Sequence, residues 1–117
     1  MKSNELNKRL TDAFPNLKDA YEEEIVWQEG DDTGSHTVYG DVFTPYVVTC
    51  IEENKKVEIQ QAFDFIEKLL ELKDTYVDEV VAFSVLESIS YLFTERNELY
   101  NSLGEKSKEI LNDFLLG

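Results

Sequence analysis

Apolar residues recur at helical spacing along most of the chain. The clearest stripe is Ile59, Ala62, Phe63, Ile66, Leu69 and Leu70. Because these positions return every third or fourth residue, they predict an amphipathic helix with one buried face. Shorter stripes predict five further helices, over 6–14, 17–30, 44–54, 97–103 and 110–115.

Local signals mark where several of these helices begin and end. Pro15 ends the first helix, because the residue before a proline avoids the α-helical region. Thr44 followed by Pro45 predicts the start of the third helix, with Thr44 as its N-cap. The segment 30–40 holds three glycines and two aspartates, so we predict a loop whose tail, 36–39, has some extended character.

The segment from Val77 to Phe93 is apolar on most sides and follows a capping residue, Asp74 or Thr75. Its content of Val and Ile makes a strand a competing prediction, but about 18 residues is too long for an ordinary strand. We therefore predict a helix here, and we expect it to be the central and most buried one.

These elements predict an all-α fold of six to seven helices. Short connections favour antiparallel neighbours, arranged either as a helical bundle or as a short α-solenoid-like stack. No internal repeat decides in favour of the solenoid. No linker or low-complexity segment divides the 117 residues, so we expect a single domain over 1–117.

The charge balance of the chain is strongly acidic. It carries 11 Lys and Arg against 25 Asp and Glu, a net charge of −14. Binding to a nucleic-acid backbone or to an anionic membrane needs clustered cations, so neither partner is expected. The aromatic content of 12% is too high for a disordered acidic chain, so we expect the protein to fold.

We expect neither a secretory signal nor a membrane-spanning helix. Residues 1–10 lack the apolar core of a secretory signal, and no apolar run approaches the roughly 18–20 residues of a membrane helix. The single cysteine, Cys50, excludes an internal disulfide, and we expect it to be buried on the apolar side of its helix. We expect a cytoplasmic protein that uses no cofactor.

The most informative feature is a segment without cations. No Lys or Arg lies between Lys18 and Lys55, although this segment carries ten carboxylates. Like charges this close repel one another, and such a surface attracts a cationic partner. Aromatic residues, which are frequent hot spots of interfaces, lie among the carboxylates. The predicted partner-binding residues are Glu22, Glu23, Trp27, Glu29, Asp31, Asp32, His36, Tyr39 and Asp41.

Two of these residues have competing roles. Trp27, together with Tyr21, is placed on the core side of the second helix, so it is either a core anchor or an aromatic at the rim of the interface. His36 could serve as a general base or a metal ligand. Because no second histidine or cysteine accompanies it, we expect it to hydrogen-bond locally or to pack at an interface.

The acidic loop does not fit a calcium-binding EF-hand. With Glu29 at the first loop position, Asp31 and Gly34 fit the pattern, but Gly40 stands where the bidentate glutamate belongs. A start at Asp31 fails as well. An irregular Ca²⁺ or Mg²⁺ site on the two aspartates at 31 and 32 is left as an alternative.

Several motifs resemble an uncharacterised family of small acidic bacterial proteins. They are EEEIVWQEG at 22–30, DDTGSH at 31–36, GDVFTP at 40–45 and LGEKSK at 103–108, followed by Ile110 and Leu111. That family is similar to immunity proteins of polymorphic and contact-dependent toxin systems, which are small, cytoplasmic, acidic and non-catalytic. The resemblance implies a protein that binds and neutralises a cognate toxin.

The leading hypothesis is a non-enzymatic inhibitor of a basic toxin, such as a nuclease domain, whose cationic groups an acidic surface can occupy. Carboxylates within 22–41 would steer the encounter, while Trp27 and Tyr39 would supply desolvated anchors. A hypothesis from a different class is a small metal-dependent hydrolase. It would use Asp31, Asp32, Asp41 and His36. A third is a helical adaptor or scaffold, in which the charge serves solubility alone.

Overall fold

Seven helices and no strand make up the parts of the chain, residues 1–94 and 96–116, that this computed structural model describes. Two 3₁₀ turns, Pro15–Leu17 and Gly30–Asp32, precede and follow the second helix. The helices are α1 (Ser3–Ala13), α2 (Lys18–Val26), α3 (35–52), α4 (Lys56–Leu70), α5 (75–93), α6 (Asn97–Asn101) and α7 (Glu105–Leu116). The all-α prediction is confirmed.

Two of the helices, α3 and α5, each contain a wider π-helical turn. Helix α3 consists of Ser35–Val38, the π-helical turn Tyr39–Phe43 and Thr44–Glu52. Helix α5 consists of Thr75–Glu79, the π-helical turn Val80–Leu86, Glu87–Ile89 and a closing 3₁₀ turn, Ser90–Phe93. The two π-helical turns contact each other, so α3 and α5 meet there.

Helix α5 is the central helix, as its apolar sequence predicts. Its fully buried side chains are Val77, Val80, Val81, Val85, Leu86 and Ile89. Asp74 caps the helix by accepting a hydrogen bond from the Val77 amide at 3.1 Å. The apolar stripe of α4 and the thiol of Cys50 are also buried, as expected. Neither α5 nor any other described helix is long and apolar enough to cross a membrane.

The prediction of a loop over 30–40 is wrong for its second half. Helix α3 begins at Ser35, so the tail 36–39 is helical rather than extended. Thr44 is not an N-cap, because it lies inside the continuous helix, and its hydroxyl donates to the Ser84 carbonyl at 2.6 Å. Burial explains the difference: Val38 and its neighbour Tyr39 are completely buried, and this packing outweighs the weak helix preference of nearby glycines.

Candidate functional site

The outward face of α2 combines two exposed apolar side chains with carboxylates. Trp27 is 85% exposed and Val26 is 70% exposed. Side chains four residues apart lie on the same side of a helix. Glu23 is therefore the neighbour of Trp27, and Asp19 lies one turn before Glu23. All four side chains are exposed.

The expected position of Trp27 on the core side is wrong. Tyr21 does face the core, and Ile25, four residues later, packs beside it. Trp27 lies six residues after Tyr21, which at 3.6 residues per turn places it about 120° away around the helix. Because α2 ends at Val26, Trp27 extends from its end toward solvent.

The turn after α2 holds its carboxylates outward. Gly30 has a φ of +63°, a conformation that favours glycine. The hydroxyl of Thr33 donates to the Gly30 carbonyl at 2.6 Å and accepts from the Glu29 amide at 3.1 Å. Because Thr33 is buried beneath the turn, Glu29 and both aspartates, Asp31 and Asp32, are left exposed on it.

A buried polar network fixes this turn to the rest of the fold. The Asn7 amide of α1 donates to the Thr33 carbonyl at 2.7 Å, and its carbonyl accepts from the Ser35 hydroxyl at 2.8 Å. The Ser35 amide in turn donates to the Tyr76 hydroxyl at 3.1 Å. A fully satisfied buried network of this kind specifies one arrangement of its elements. The acidic turn is therefore rigidly placed against α1 and α5.

One side of the acidic segment lies next to lysines, two of which are distant from it in sequence. Glu22 and Asp31 line a surface groove together with three lysines, Lys2, Lys8 and Lys18. Asp31 also accepts a hydrogen bond from the Tyr21 hydroxyl at 3.0 Å. Burial, with this carboxylate, raises the pKa of Tyr21 to about 12. The segment without cations is thus partly balanced in space by α1 and by the start of α2.

Asp41, on the π-helical turn of α3, lies close enough to Glu24 of α2 to affect its ionisation. Desolvation and the neighbouring Asp41 carboxylate raise the pKa of Glu24 above its usual value. A pair of carboxyl groups so close disfavours the doubly charged state. Asp41 therefore faces another acid and is not part of the exposed row that ends at Trp27.

His36 points to α5 and contacts the serine at the meeting point of the two π-helical turns. Its Nδ1 lies 2.7 Å from the Ser84 Oγ, and its ring meets the Tyr76 ring edge-on with centroids 5.8 Å apart. A hydroxyl next to an imidazole can serve as a nucleophile and its base when a third group orients the imidazole. Within the described ranges, no carboxylate is hydrogen-bonded to the His36 ring.

Tyr39 is a core residue, so its predicted role as an interface anchor is wrong. Its side chain is completely buried, and its hydroxyl donates to the Leu6 carbonyl of α1 at 2.7 Å. The ring stacks on Phe65 with centroids 6.4 Å apart. Burial raises the pKa of the Tyr39 hydroxyl far above its usual range. The π-helical turn of α3 directs this side chain inward, away from any partner.

The model of a family described as a domain of unknown function, DUF7674, matches residues 7–117. The chain belongs to the DUF7674 family. It matches no curated protein and no solved structure. Because the description of the DUF7674 family names no activity, the expected similarity to immunity proteins stays a prediction.

The four residues considered for a metal-dependent hydrolase do not form one cluster in this DUF7674 domain. Asp31 bonds to Tyr21 and His36 lies beside Ser84, whereas Asp41 faces Glu24. Over residues 1–94 and 96–116, no group of three or more His, Cys, Asp or Glu side chains is arranged to hold a metal ion. The geometry gives this hypothesis no ligand set.

The predicted partner-binding residues of the DUF7674 domain thus fall into separate groups. Glu23 and Trp27 share the outward face of α2, and Glu29 and Asp32 follow in the exposed turn. The other five lie in the lysine-lined groove, beside another acid, against α5 or in the core: Glu22, Asp31, Asp41, His36 and Tyr39. Sequence reasoning missed Val26 as the exposed neighbour of Trp27. The signal that could have found it is its position, seven residues after Asp19 on the polar side of α2.

Proposed function

We propose that this DUF7674 domain is a non-enzymatic protein that binds a basic protein partner through a surface centred on Trp27. The Trp27 surface consists of Asp19, Glu23, Val26, Trp27, Glu29 and Asp32. In its most specific form, the proposal is that the partner is a basic, nuclease-like toxin and that binding neutralises it in the cytoplasm.

The observation that carries the proposal is the exposure of Trp27 next to Val26. Burying apolar surface is favourable by roughly 25 cal/mol per Å², and two large neighbouring side chains gain most of this only when a partner covers them. Tryptophan is also among the residues most enriched at the energetic centres of interfaces. A partner seated here would be anchored by Trp27.

The charge around Trp27 supports a basic partner. Within the described ranges, Glu23, Glu29 and Asp32 form no ion pair with a Lys or Arg. The whole chain carries a net charge of −14, so its long-range field attracts cationic surfaces and repels anionic ones. Free carboxylates around an apolar anchor can pair with Lys or Arg at the rim of an interface.

The rigid placement of the turn supports tight binding. The bonds from Thr33 and Asn7 hold the acidic turn in one conformation before any partner arrives. Binding then costs less conformational entropy than the ordering of a flexible loop would. Two features support a toxin as the partner. They are the resemblance to immunity proteins described above and the acidic charge of the chain.

The test begins with capture of the partner on the immobilised wild-type protein, followed by binding kinetics on the purified partner. Trp27→Ala should speed dissociation about 30-fold or more, because a hot-spot side chain is worth about 2 kcal/mol. Tyr91→Ala is the matched control. Tyr91 is an aromatic that is 63% exposed on α5, and its loss should change the dissociation rate little.

The electrostatic part is tested by Glu23→Lys/Asp32→Lys. This double variant should slow association and reduce its sensitivity to salt, since screening acts on the same long-range attraction. Glu71→Lys/Glu87→Lys changes the net charge equally at two other exposed positions, one just after α4 and one on α5, and should slow association less. Equal effects of the two pairs, or a captured partner that is acidic, would contradict the proposed surface.

The toxin part has its own test. Expression of the captured partner alone should arrest growth, and co-expression of the wild-type domain should restore it. Co-expression of the Trp27→Ala variant should restore growth less. A tightly bound basic partner without toxicity would leave the binding proposal standing and would overturn the toxin part.

A further inference from the structure

A second candidate binding site lies between α5 and α7. The two helices line an open surface groove of about 720 Å³. Its apolar side chains include Leu70, Phe83, Ile110 and Phe114. Phe83 is 57% exposed, and its ring meets the Phe114 ring edge-on with centroids 6.1 Å apart. This groove shares no residue with the Trp27 surface.

The rim of the groove is mainly acidic. Four carboxylates and two lysines line it: Asp78, Glu79, Glu109, Asp113, Lys73 and Lys106. One oxygen of Asp78, Oδ1, is buried without a hydrogen-bond partner among the described residues. A carboxylate rotates about its last torsion at little cost, so a cationic group entering beside Asp78 can supply the missing donor as a charge-assisted bond.

We propose that this groove binds an amphipathic helix of a partner protein, with an apolar stripe for the floor and Lys or Arg for the rim. A groove with helices on both sides and apolar side chains between them suits the mode in which a helix lies in a groove and anchors side chains at every third or fourth position. A second copy of this chain is disfavoured, because each copy carries a charge of −14 and an acidic rim.

The probe is a labelled synthetic peptide of about 14 residues, which is about four helical turns, with Leu along one face and Lys elsewhere. Two control peptides accompany it, one with Glu in place of every Lys and one with the same composition scrambled to remove the stripe. Fluorescence anisotropy gives the Kd, and amide chemical shifts of the isotopically labelled protein locate the peptide. We expect shift changes concentrated in 75–86 and 105–115, and weaker binding of both controls.

Variants then test the groove directly. Phe83→Ser should weaken binding of the Leu/Lys peptide about tenfold or more, whereas Tyr91→Ser, at another exposed aromatic of α5, should change it little. Glu79→Lys/Glu109→Lys should weaken binding more than Glu71→Lys/Glu87→Lys, which alters the net charge equally. Trp27→Ala should leave peptide binding unchanged, so failure here is distinguishable from failure of the Trp27 surface.

Several results would overturn the proposal. They are an absence of binding up to about 1 mM, the affinity class of very weak complexes, shift changes centred on 19–32, or equal binding of the scrambled peptide. Equal binding of the Glu peptide would remove the preference for a cationic partner. The shift mapping uses the wild-type protein, so these outcomes can be read even if a variant fails to fold.

Discussion

Glu67 on α4 holds the first turn of α7. Its Oε1 accepts hydrogen bonds from the Ser107 amide at 3.0 Å and the Ser107 hydroxyl at 2.9 Å, and its Oε2 accepts from the Lys106 amide at 3.1 Å. These amides have no partner within their own helix, and a negative charge there is also favoured by the helix dipole. Gly104 makes the approach possible, because a Cβ at 104 would lie 2.3 Å from the Glu67 Cδ.

This geometry predicts coupling between the two residues. Glu67→Ala should destabilise the fold by about 1 kcal/mol, as loss of a helix cap does. Gly104→Ala should also destabilise it, because the new Cβ displaces Glu67. In the double variant the Cβ has room, so its cost should be smaller than the sum of the two. Urea denaturation measures all three. Strict additivity of the two single effects would contradict this account. Glu71→Ala, an exposed change just after the end of α4, is the control and should change the free energy of unfolding by no more than about 0.5 kcal/mol.

The pH dependence of stability should have opposite signs at Glu67 and Glu24. Burial by itself raises the pKa of Glu67, but the bonds from Ser107 and Lys106 outweigh it and leave the pKa below 4.5. Its contribution is therefore present above pH 4.5 and is lost as the pH falls through the folded pKa. The pKa of Glu24 is raised by desolvation and by Asp41, so its charged form disfavours the fold at neutral pH.

Thermal unfolding between pH 3 and pH 7 tests both residues, within the range over which carboxylates titrate. Glu67→Gln should lower the midpoint temperature at pH 7, and the loss should shrink as the pH falls. Glu24→Gln should raise the midpoint at pH 7, and this gain should also fade in acid. A change of the same sign for both variants at pH 7 would contradict the two environments described.

At the scale of elements, Asn7 joins α1 to the acidic turn. Asn7→Ala removes the side-chain donor to the buried Thr33 carbonyl and leaves the Ser35 hydroxyl with the Ser3 carbonyl, at 3.2 Å, as its acceptor. It should destabilise the fold by about 1–3 kcal/mol. Hydrogen exchange of the amides in 30–35 should speed up more than that of α4. Asn4→Ala, an exposed change on the same helix, is the control and should have little effect. Unchanged exchange in 30–35 would mean that Asn7 does not hold the turn.

The meeting of α3 and α5 depends on several small contacts around Ser84. A Cβ at Gly40 would lie 3.9 Å from Ser84, at ordinary van der Waals distance, so the two helices are in direct contact here. Thr44 and His36 bond to the Ser84 carbonyl and hydroxyl respectively. A carbonyl oxygen has two lone pairs, so the Ser84 carbonyl can accept from Thr44 across the interface in addition to any bond within its own helix. The two π-helical turns therefore support each other.

At the scale of the whole molecule, the charge of −14 should act against the fold. Carboxylates repel one another more strongly in the compact state than in the extended chain. Raising NaCl from about 0.01 to about 0.15 M shortens the screening length from about 30 to about 8 Å, so the midpoint of thermal unfolding should rise. Glu23→Lys/Asp32→Lys should reduce this dependence on salt. A midpoint indifferent to salt would show that the repulsion is already balanced, for example by the lysines of α1.

Most of the helices followed from the sequence, although α3 begins at Ser35, within the predicted loop, and α2 ends at Val26 rather than near Gly30. The stripe of α4, the apolar run of α5 and the cap at Asp74 are local patterns, and each recurs in the structure where it was expected. Such patterns are reliable because a helix of regular period presents the same side to the core over many turns. The burial of Cys50 followed for the same reason.

The tertiary structure alone decided which side chains of the acidic segment face solvent. Of the two environments left open for Trp27, the exposed one is found, because Trp27 stands at a helix end. Tyr39, expected at an interface, is buried because it lies in a π-helical turn and its side-chain hydroxyl reaches α1. Burial at such irregular positions depends on which elements pack there, and no local period encodes it.

The sequence pattern likewise did not predict which residues far apart in the chain lie next to each other in the fold. Two carboxylates of the segment without cations, Glu22 and Asp31, line one groove with Lys2 and Lys8 from the first helical region. His36 meets Ser84 across 48 positions, and the groove between α5 and α7 joins side chains from two separate helices. Composition determined that this molecule is acidic, and the spacing of its apolar residues determined that it is helical. Where its unpaired carboxylates and uncovered aromatics lie was decided by packing, because only the folded chain brings distant residues within range of each other.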